Sequence, residues 1–494
     1  MSTAWEDLKH RVSELEALAG VQGVLSWDQQ TMMPPGGAAA RGRQLALLSA
    51  ISHEKLVDPA LGASLDVLES DADGLDPVQA AAVRNLRWRH TRAGRVPTDL
   101  VRALAEAGAA GMGAWVEAKK AGDFKGFEAP LGRIVSLVRE AAACHGEAAH
   151  PYDNLLEEYD PGSTTADLTP MFDRLGAELS SFVREVADRE PPARLDLTLD
   201  TDGIRAVGTR VIHQLGFRAA NGRLDESEHP FTVGVDPSDV RLTTHSYADD
   251  LLGSLTGTIH ECGHGLYEQG FPTEYAGTGV ASAAGVGLHE SQSRFWENVI
   301  GRSRPFFGWL VGELSAQWPS HRFDADALYG AANRVEPSLI RIKADEATYN
   351  LHILVRYKLE CALLADDLQV ADLPGAWNDL YAELLGIRPA HDGEGLLQDV
   401  HWSHGYFGYF PSYTIGNLYA ASFKEAMQAD LPGMWDEVAA GEFSSVLGWL
   451  REKVHSRGHL VDAPQIFRDA VGDRDPVADL MAHLRSRHGA LVGL

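Results

Sequence analysis

Residues 251–264 read LLGSLTGTIHECGH, and this stretch indicates both a helix and a chemical site. Leu251, Leu255 and Ile259 recur every four residues, which is the spacing of one helical face. The apolar residues predict a largely buried helix, in which histidine and glutamate side chains need partners. Glycines at positions 257, 263 and 265 are poor helix formers and indicate that another part of the chain approaches this backbone closely.

The end of this stretch has the pattern His-Glu-x-x-His. His260 and His264 lie on one helix face with Cβ atoms about 6 Å apart, so both imidazoles can reach one zinc ion at about 2.0–2.1 Å. Glu261 is then positioned to take a proton from metal-bound water rather than to ligate the metal. Chance gives such a pattern in about a few per cent of chains this long, so buried, hydrogen-bonded polar residues are the alternative.

A catalytic zinc ion takes three protein ligands and leaves one position for water. A longer pattern with a third histidine six residues after the second would need histidine at position 270, which is glycine. Glu268 lies on the same helix as both histidines, where a third ligand would leave the coordination nearly in one line. A second, antiparallel helix supplies a better geometry, and Glu290 lies on the next predicted helix. Glu297, two turns further along the same face, is the rival ligand.

Most of the remaining chain also has helical spacing of its apolar residues. These patterns run over residues 5–18, 75–95, 98–121, 125–145, 168–190, 200–217, 246–270, 281–301, 343–365, 374–386 and 475–490. Residues 229–244 instead alternate β-branched and polar side chains, which predicts a sheet of two or three short strands. We therefore expect a mainly α fold in which residues 1–494 form one helical domain, with a small β-sheet beside the His-Glu-x-x-His helix. Two lobes around a cleft are compatible with this pattern.

The composition limits the classes of partner. The 494 residues carry 43 Lys and Arg against 70 Asp and Glu, a net charge of −27. Such a chain repels phosphate backbones and anionic lipid, so neither nucleic acid nor a membrane surface is an expected partner. Three widely spaced cysteines form no disulfide framework, and the first twenty residues lack the pattern of a signal peptide. We expect a cytoplasmic protein.

Two arginines and one aromatic segment are candidates for substrate binding. The fork of an arginine suits a terminal carboxylate. Arg241 lies at the edge of the predicted sheet and Arg341 at the start of a predicted helix, although either could form a structural ion pair with a nearby aspartate. Residues 395–413 combine tyrosines, a histidine and glycines, which suits a loop that donates to a substrate oxygen, or else an aromatic core.

Taken in order, these segments resemble the thermostable metallocarboxypeptidases of the carboxypeptidase Taq type. Six ordered motifs are far more specific than any single one, and the similarity runs from about residue 20 to residue 420. The matching motifs are His229–Phe231, Asp239–Thr243, His260–His264, His289–Gln292, Ile340–Asp345 and Gly395–Trp402, preceded by the segment Trp27–Gly37.

The resemblance implies a nearly all-helical fold with a deep central substrate groove, assembled as a homodimer. It implies one zinc ion per chain, or cobalt in some members, held by His260, His264 and Glu290. Glu261 would be the general base that activates the metal-bound water. Such enzymes hydrolyse C-terminal residues from peptides one at a time.

The resemblance also assigns the substrate-binding residues. Arg341 would bind the terminal carboxylate, and His401 and Tyr413 would contact the substrate or stabilise the oxyanion. His229 and Arg241 would bind substrate or support the groove. The alternatives are a groove-type zinc oligoendopeptidase, a dipeptidyl carboxypeptidase with the same chemistry, and a helical scaffold with a vestigial metal site.

Overall fold

The computed structural model describes residues 2–494, and the chain is 69% helical with one small sheet. The prediction of a mainly helical fold is confirmed. In chain order, the α-helices of the described residues are α1 (Ser2–Thr31), α2 (Ala38–Leu56), α3 (Pro59–Glu69), α4 (Pro77–Arg95), α5 (Thr98–Ala121), α6 (Lys125–Cys144), α7 (Asp153–Tyr159), α8 (Thr165–Ala187), α9 (Thr201–Gln214), α10 (Leu251–Glu268), α11 (Val286–Arg294), α12 (Arg304–Gln317), α13 (Ala325–Ala332), α14 (Glu346–Ala365), α15 (Leu373–Leu384), α16 (Pro411–Asp430), α17 (Met434–Ala439), α18 (Ser444–Lys453), α19 (Ala463–Val471), α20 (Pro476–Leu484) and α21 (Ala490–Val492). Two π-helical segments, Phe295–Ile300 and Arg485–Gly489, continue α11 and α20.

The chain divides into two compact units. The first unit consists of the described residues of Met1–Gly94, Leu195–Ala332 and Tyr419–Arg474. The second consists of Arg95–Arg194, Asn333–Leu418 and Asp475–Leu494. The assignment of residues 1–494 to a single domain stays a prediction.

The sheet belongs to the first unit and has the strand order β1-β3-β2. Its strands are β1 (Gly222–Glu226), β2 (Thr232–Asp236) and β3 (Asp239–Thr244). β3 pairs in parallel with β1 and antiparallel with β2. The expectation that Arg241 lies at a sheet edge is therefore wrong, because β3 is the central strand. β1 gave little sequence signal since Leu224 is its one apolar residue.

Helix α10 is the centre of the first unit. The Asp250 side chain accepts from the backbone N–H of Gly253 and starts the helix. The helix then packs against α9, α11, β2 and β3. A Cβ on Gly263 would lie 2.6 Å from the Gln292 carbonyl oxygen, so this glycine lets the α11 backbone approach closely. Gly257 faces open space, so the expectation of close approach fails at that position.

In the second unit, α14 is almost completely buried and packs against α8 and α15. The Asp345 carboxylate accepts from the backbone N–H groups of Ala347 and Thr348 and caps this helix. The predicted helix at 343–365 therefore begins three residues later than expected. Arg341 lies outside it, on a short 3₁₀ turn.

Among the helices that the structure describes, none has both the length and the apolar character required to span a bilayer.

Candidate active site

Two histidines on α10 and one glutamate on α11 come together in the first unit. Ligand atoms of His260, His264 and Glu290 all lie within 4.8 Å of one another. The two imidazole rings are 4.9 Å apart, and His264 Nε2 lies 3.6 Å from Glu290 Oε2. Two imidazole nitrogens and one carboxylate oxygen are a donor set that suits a catalytic divalent metal with an open coordination position. The three ligand residues predicted from the sequence are thus adjacent in the structure.

Glu297 orients the first of these histidines. Its Oε2 lies 2.9 Å from His260 Nδ1, and its other oxygen accepts from Arg302 at 3.1 Å. Burial alone would raise the pKa of Glu297, but Arg294 and His260 hold that pKa well below its usual range. The ionised carboxylate accepts the Nδ1–H of His260, which leaves Nε2 available to a metal. Glu297, the rival candidate ligand, therefore contacts Nδ1 of His260 and is not part of the cluster of His260, His264 and Glu290.

An arginine fixes the glutamate in the same way. Arg294 Nε donates to Glu290 Oε1 at 2.7 Å, so one carboxylate oxygen is occupied. The second oxygen, Oε2, is the one that faces His264. Glu290 is only 6% exposed, and a buried carboxylate requires a cationic neighbour of this kind.

Glu261, the predicted base, is buried next to the two histidines on α10. Its Oε2 accepts from Thr232 Oγ1 at 2.7 Å, which ties the side chain to strand β2. Burial raises the pKa of Glu261. A carboxyl group whose pKa lies closer to neutrality exchanges protons more effectively with a substrate or a water molecule. The environment therefore suits an acid–base role.

The other two candidates in the first unit occupy different surroundings. The His229 side chain is exposed between β1 and β2. Arg241 donates to both carboxylate oxygens of Asp239, at 3.0 and 2.8 Å, and its guanidinium lies 4.6 Å from the ring centre of Trp27. The structural ion pair considered for Arg241 is therefore present. Roles for His229 and Arg241 in substrate binding stay predictions.

A buried cluster in the second unit contains two arginines and one aspartate. Arg341 donates through Nε and Nη2 to one oxygen of Asp399, at 3.0 and 2.7 Å. Arg356 donates through the same two atoms to the other oxygen, at 2.8 and 2.6 Å. Burial would raise the pKa of Asp399, but Arg356 and Arg341 hold that pKa well below its usual range. The three groups together carry one excess positive charge, which suits a second carboxylate.

Aromatic residues of the predicted binding loop surround this cluster. The guanidinium of Arg341 lies 5.2 Å from the ring centre of Tyr413 and 5.6 Å from that of Phe410. The His401 ring lies 4.5 Å from Phe410. Burial lowers the pKa of His401 to about 4, so its imidazole is neutral at pH 7. The structure thus brings Arg341, His401 and Tyr413 into one neighbourhood.

A buried glutamate holds the same loop in place. Glu360 on α14 accepts from Trp402 Nε1 at 2.6 Å, from the Gly408 backbone N–H at 3.0 Å and from the Tyr152 hydroxyl at 2.6 Å. Burial raises its pKa to about 7. Glu360 thereby fixes two points, Trp402 and Gly408, within the segment that separates His401 from Tyr413.

Six of these supporting residues were not predicted from the sequence, namely Thr232, Arg294, Arg302, Arg356, Glu360 and Asp399. A signal was available for two of them, because Arg356 and Glu360 are charged residues within the otherwise apolar pattern of α14. Thr232 and Asp399 lie in segments that the sequence analysis had noted, but their partners are distant in sequence. Only the fold shows what they contact.

Comparisons with known proteins all point to one family. The family model described as Carboxypeptidase Taq (M32) metallopeptidase matches residues 7–488. The chain is 36% identical to thermostable carboxypeptidase 1 of Thermus thermophilus, covering 99% of each chain. It is 34% identical to carboxypeptidase 1 of Bacillus subtilis, covering 98% of this chain and 97% of that one.

Solved structures give the same result. The M32 carboxypeptidase from Deinococcus radiodurans superposes with a TM-score of 0.96 at 36% identity, over the whole of both chains. These similarities extend over both compact units, so they concern the whole chain rather than the metal-site helices alone.

Proposed function

The chain belongs to the carboxypeptidase Taq (M32) family of metallopeptidases, and we propose on this premise that it removes C-terminal residues one at a time from peptides. The observation that carries the proposal is the clustered donor set of His260, His264 and Glu290, with the buried Glu261 beside it. We propose one zinc ion per chain. Cobalt is the alternative metal, because it prefers the same ligands.

The proposed metal ligands fit such an ion. His260 presents Nε2, because Glu297 occupies its Nδ1, and Glu290 presents Oε2, because Arg294 occupies Oε1. When bound, a divalent cation there would lower the pKa of water and polarise the carbonyl of the scissile peptide bond.

Glu261 performs the proton transfers in this proposal. Its carboxylate accepts a proton from the attacking water and then delivers that proton to the nitrogen of the leaving amino acid. The hydrogen bond from Thr232 holds one carboxylate oxygen in place during both steps. The raised pKa of Glu261 favours the first step, since a more basic carboxylate accepts a proton from water more readily.

Arg341 supplies recognition of the substrate terminus. Its fork is already held by Asp399, and the neighbouring Arg356 leaves the cluster with one uncompensated positive charge. A free C-terminal carboxylate would neutralise that charge. Tyr413 lies beside the Arg341 guanidinium, and His401 packs against Phe410, which also contacts Arg341. Both would donate to the same end of the peptide. A homodimer and a cytoplasmic location remain proposals that rest on the sequence.

The experiment that tests metal-dependent hydrolysis is a time course on an unmodified peptide, followed by mass spectrometry. We expect shortening from the C-terminus, loss of activity after treatment with a chelator, and recovery when Zn²⁺ or Co²⁺ is added. Activity that is unaffected by complete removal of the metal would contradict the proposal.

Glu261→Gln tests the base directly. The variant should bind metal with the stoichiometry of the unaltered enzyme but lose activity by at least about 100-fold, the usual contribution of a positioned acid–base group. Glu274→Gln, which alters an exposed glutamate of the same unit, is the matched control and should remain active. Full turnover by Glu261→Gln would remove Glu261 from the mechanism.

A further inference from the structure

His264 contacts a second histidine on the side away from Glu290. Its Nδ1 lies 2.6 Å from Nδ1 of His289, and the two ring centres are 4.5 Å apart. A hydrogen bond between two imidazole nitrogens requires that one nitrogen carries the hydrogen and the other accepts it. The direction of this bond determines which nitrogen of His264 is free.

The surroundings of His264 decide the direction. Nε2 is the nitrogen that faces Glu290, at 3.6 Å from Oε2. A neutral imidazole that presents Nε2 to a metal carries its hydrogen on Nδ1. His264 is therefore the donor and His289 Nδ1 the acceptor.

His289 in turn makes a hydrogen bond to a carboxylate. Because His289 accepts at Nδ1, its Nε2 is the nitrogen that can donate. That nitrogen lies 2.8 Å from Glu268 Oε1 on the last turn of α10. Every hydrogen then has one donor and one acceptor along the series His264, His289 and Glu268.

Strand β2 leaves room for the end of this series. A Cβ on Gly234 would lie 2.3 Å from Glu268 Oε2 and 2.7 Å from its carboxyl carbon. Any side chain at position 234 would therefore displace the carboxylate from its place. Both α10 histidines are thus connected to a carboxylate by hydrogen bonds. His260 bonds directly to Glu297, and His264 is linked through His289 to Glu268.

We propose that Glu268 and His289 are positioning residues that fix the tautomer and the ring orientation of His264 and so raise the affinity of the metal centre. The inference rests on the proposed function, because it takes His264 as a metal ligand. It assigns Glu268, which the sequence analysis excluded as a ligand, a role one histidine away from the metal.

The test measures metal affinity by competition with a chromophoric chelator, using Zn²⁺ and the full-length protein. Loss of such a supporting partner typically weakens metal binding by about 10–100-fold. We expect a loss of that size in Glu268→Ala. Glu268→Gln should lose less, because its amide oxygen can still accept from His289. Equal affinities for Glu268→Ala and the unaltered protein would overturn the proposal.

Gly234→Ala provides a second perturbation that removes no polar group. By displacing the carboxylate it should weaken metal binding in the unaltered background but have no further effect in Glu268→Ala, since nothing remains to be displaced. Equal effects in both backgrounds would show that the glycine acts only through the strand, and would contradict the role assigned to it.

Gly257→Ala is the matched control, because that glycine faces open space. It should bind Zn²⁺ as tightly as the unaltered protein. The unaltered protein also separates the two proposals. If it binds no Zn²⁺, the proposed function fails, whereas tight binding that Glu268→Ala leaves unchanged overturns only the positioning role.

Discussion

Replacing Asp399 by asparagine should destabilise the second unit strongly. Asp399 accepts four N–H bonds, two from Arg341 on one oxygen and two from Arg356 on the other. Asparagine retains one oxygen, and its amide nitrogen would face a guanidinium that offers only donors. The substitution also removes the negative charge between two buried cations.

The structure gives the expected magnitude. Arg341 is 6% exposed and Arg356 is fully buried, so water compensates little for the lost partner. Removal of one member of a buried ion pair costs about 3–5 kcal/mol. That loss is a large fraction of the roughly 5–15 kcal/mol that stabilises a typical folded protein.

The assay is urea unfolding followed by tryptophan fluorescence. Trp377 is a suitable reporter, because its ring lies 4.5 Å from the guanidinium of Arg356. Asp379→Asn is the control, since it breaks an exposed ion pair with Arg388 and should cost less than about 1 kcal/mol.

The same comparison has a defined pH dependence. The pKa of Asp399 is depressed in the folded state, so its stabilisation is present above the usual carboxyl pKa of about 3.9 and is lost as the pH falls below that value. The difference between the unaltered protein and Asp399→Asn should therefore shrink on acidification. A loss below about 1 kcal/mol at pH 7 would show instead that the two buried arginines do not depend on Asp399.

Three further predictions concern other parts of the structure. Arg341→Met should lower kcat/KM for free-carboxylate peptides by at least about 30-fold, which corresponds to a loss of about 2–5 kcal/mol. Arg341→Lys should recover only part of the lost activity, and an unchanged kcat/KM in Arg341→Met would exclude the contact. Glu360 has a folded-state pKa of about 7, so the folded protein binds more protons than the unfolded one between about pH 4.5 and 7. The free energy of unfolding in urea should therefore fall by about 3 kcal/mol as the pH rises from about 4.5 to 7. Glu360→Gln should abolish this fall, and an unchanged slope would contradict it. Gly263→Ala should cost about 1–3 kcal/mol in urea unfolding and weaken metal binding by separating α10 from α11, whereas Gly257→Ala, in open space, should be neutral or slightly stabilising; equal effects of the two would argue against the close approach.

The sequence predicted that His260 and His264 of the candidate metal site are adjacent, because helix geometry is local. The spacing of His260 and His264 places both side chains on one face whatever the rest of the fold does. The choice between Glu290 and Glu297 was harder, since both were expected on one helical face. The π-helical segment Phe295–Ile300 has a different number of residues per turn from an α-helix, and no sequence pattern predicted it. Glu297 contacts Nδ1 of His260, the nitrogen opposite the one that is available to a metal.

Long-range partners could not be predicted. Asp399 joins Arg341 and Arg356 across segments that are far apart in sequence, and only tertiary packing brings them together. The order of the strands depended equally on packing, because β1 has almost no apolar alternation and pairs in parallel with β3. Arg241 was for that reason expected at an edge although it lies in the middle of the sheet.

Carboxypeptidase action is tested most directly by offering two peptides of identical sequence, one with a free C-terminal carboxylate and one with a C-terminal amide, in a single reaction with the metal-loaded enzyme. Mass spectrometry then follows both peptides over time. A carboxypeptidase should remove single residues in succession from the free acid and leave the amide intact. Equal cleavage of the amide, or release of dipeptides or internal fragments as first products, would contradict it.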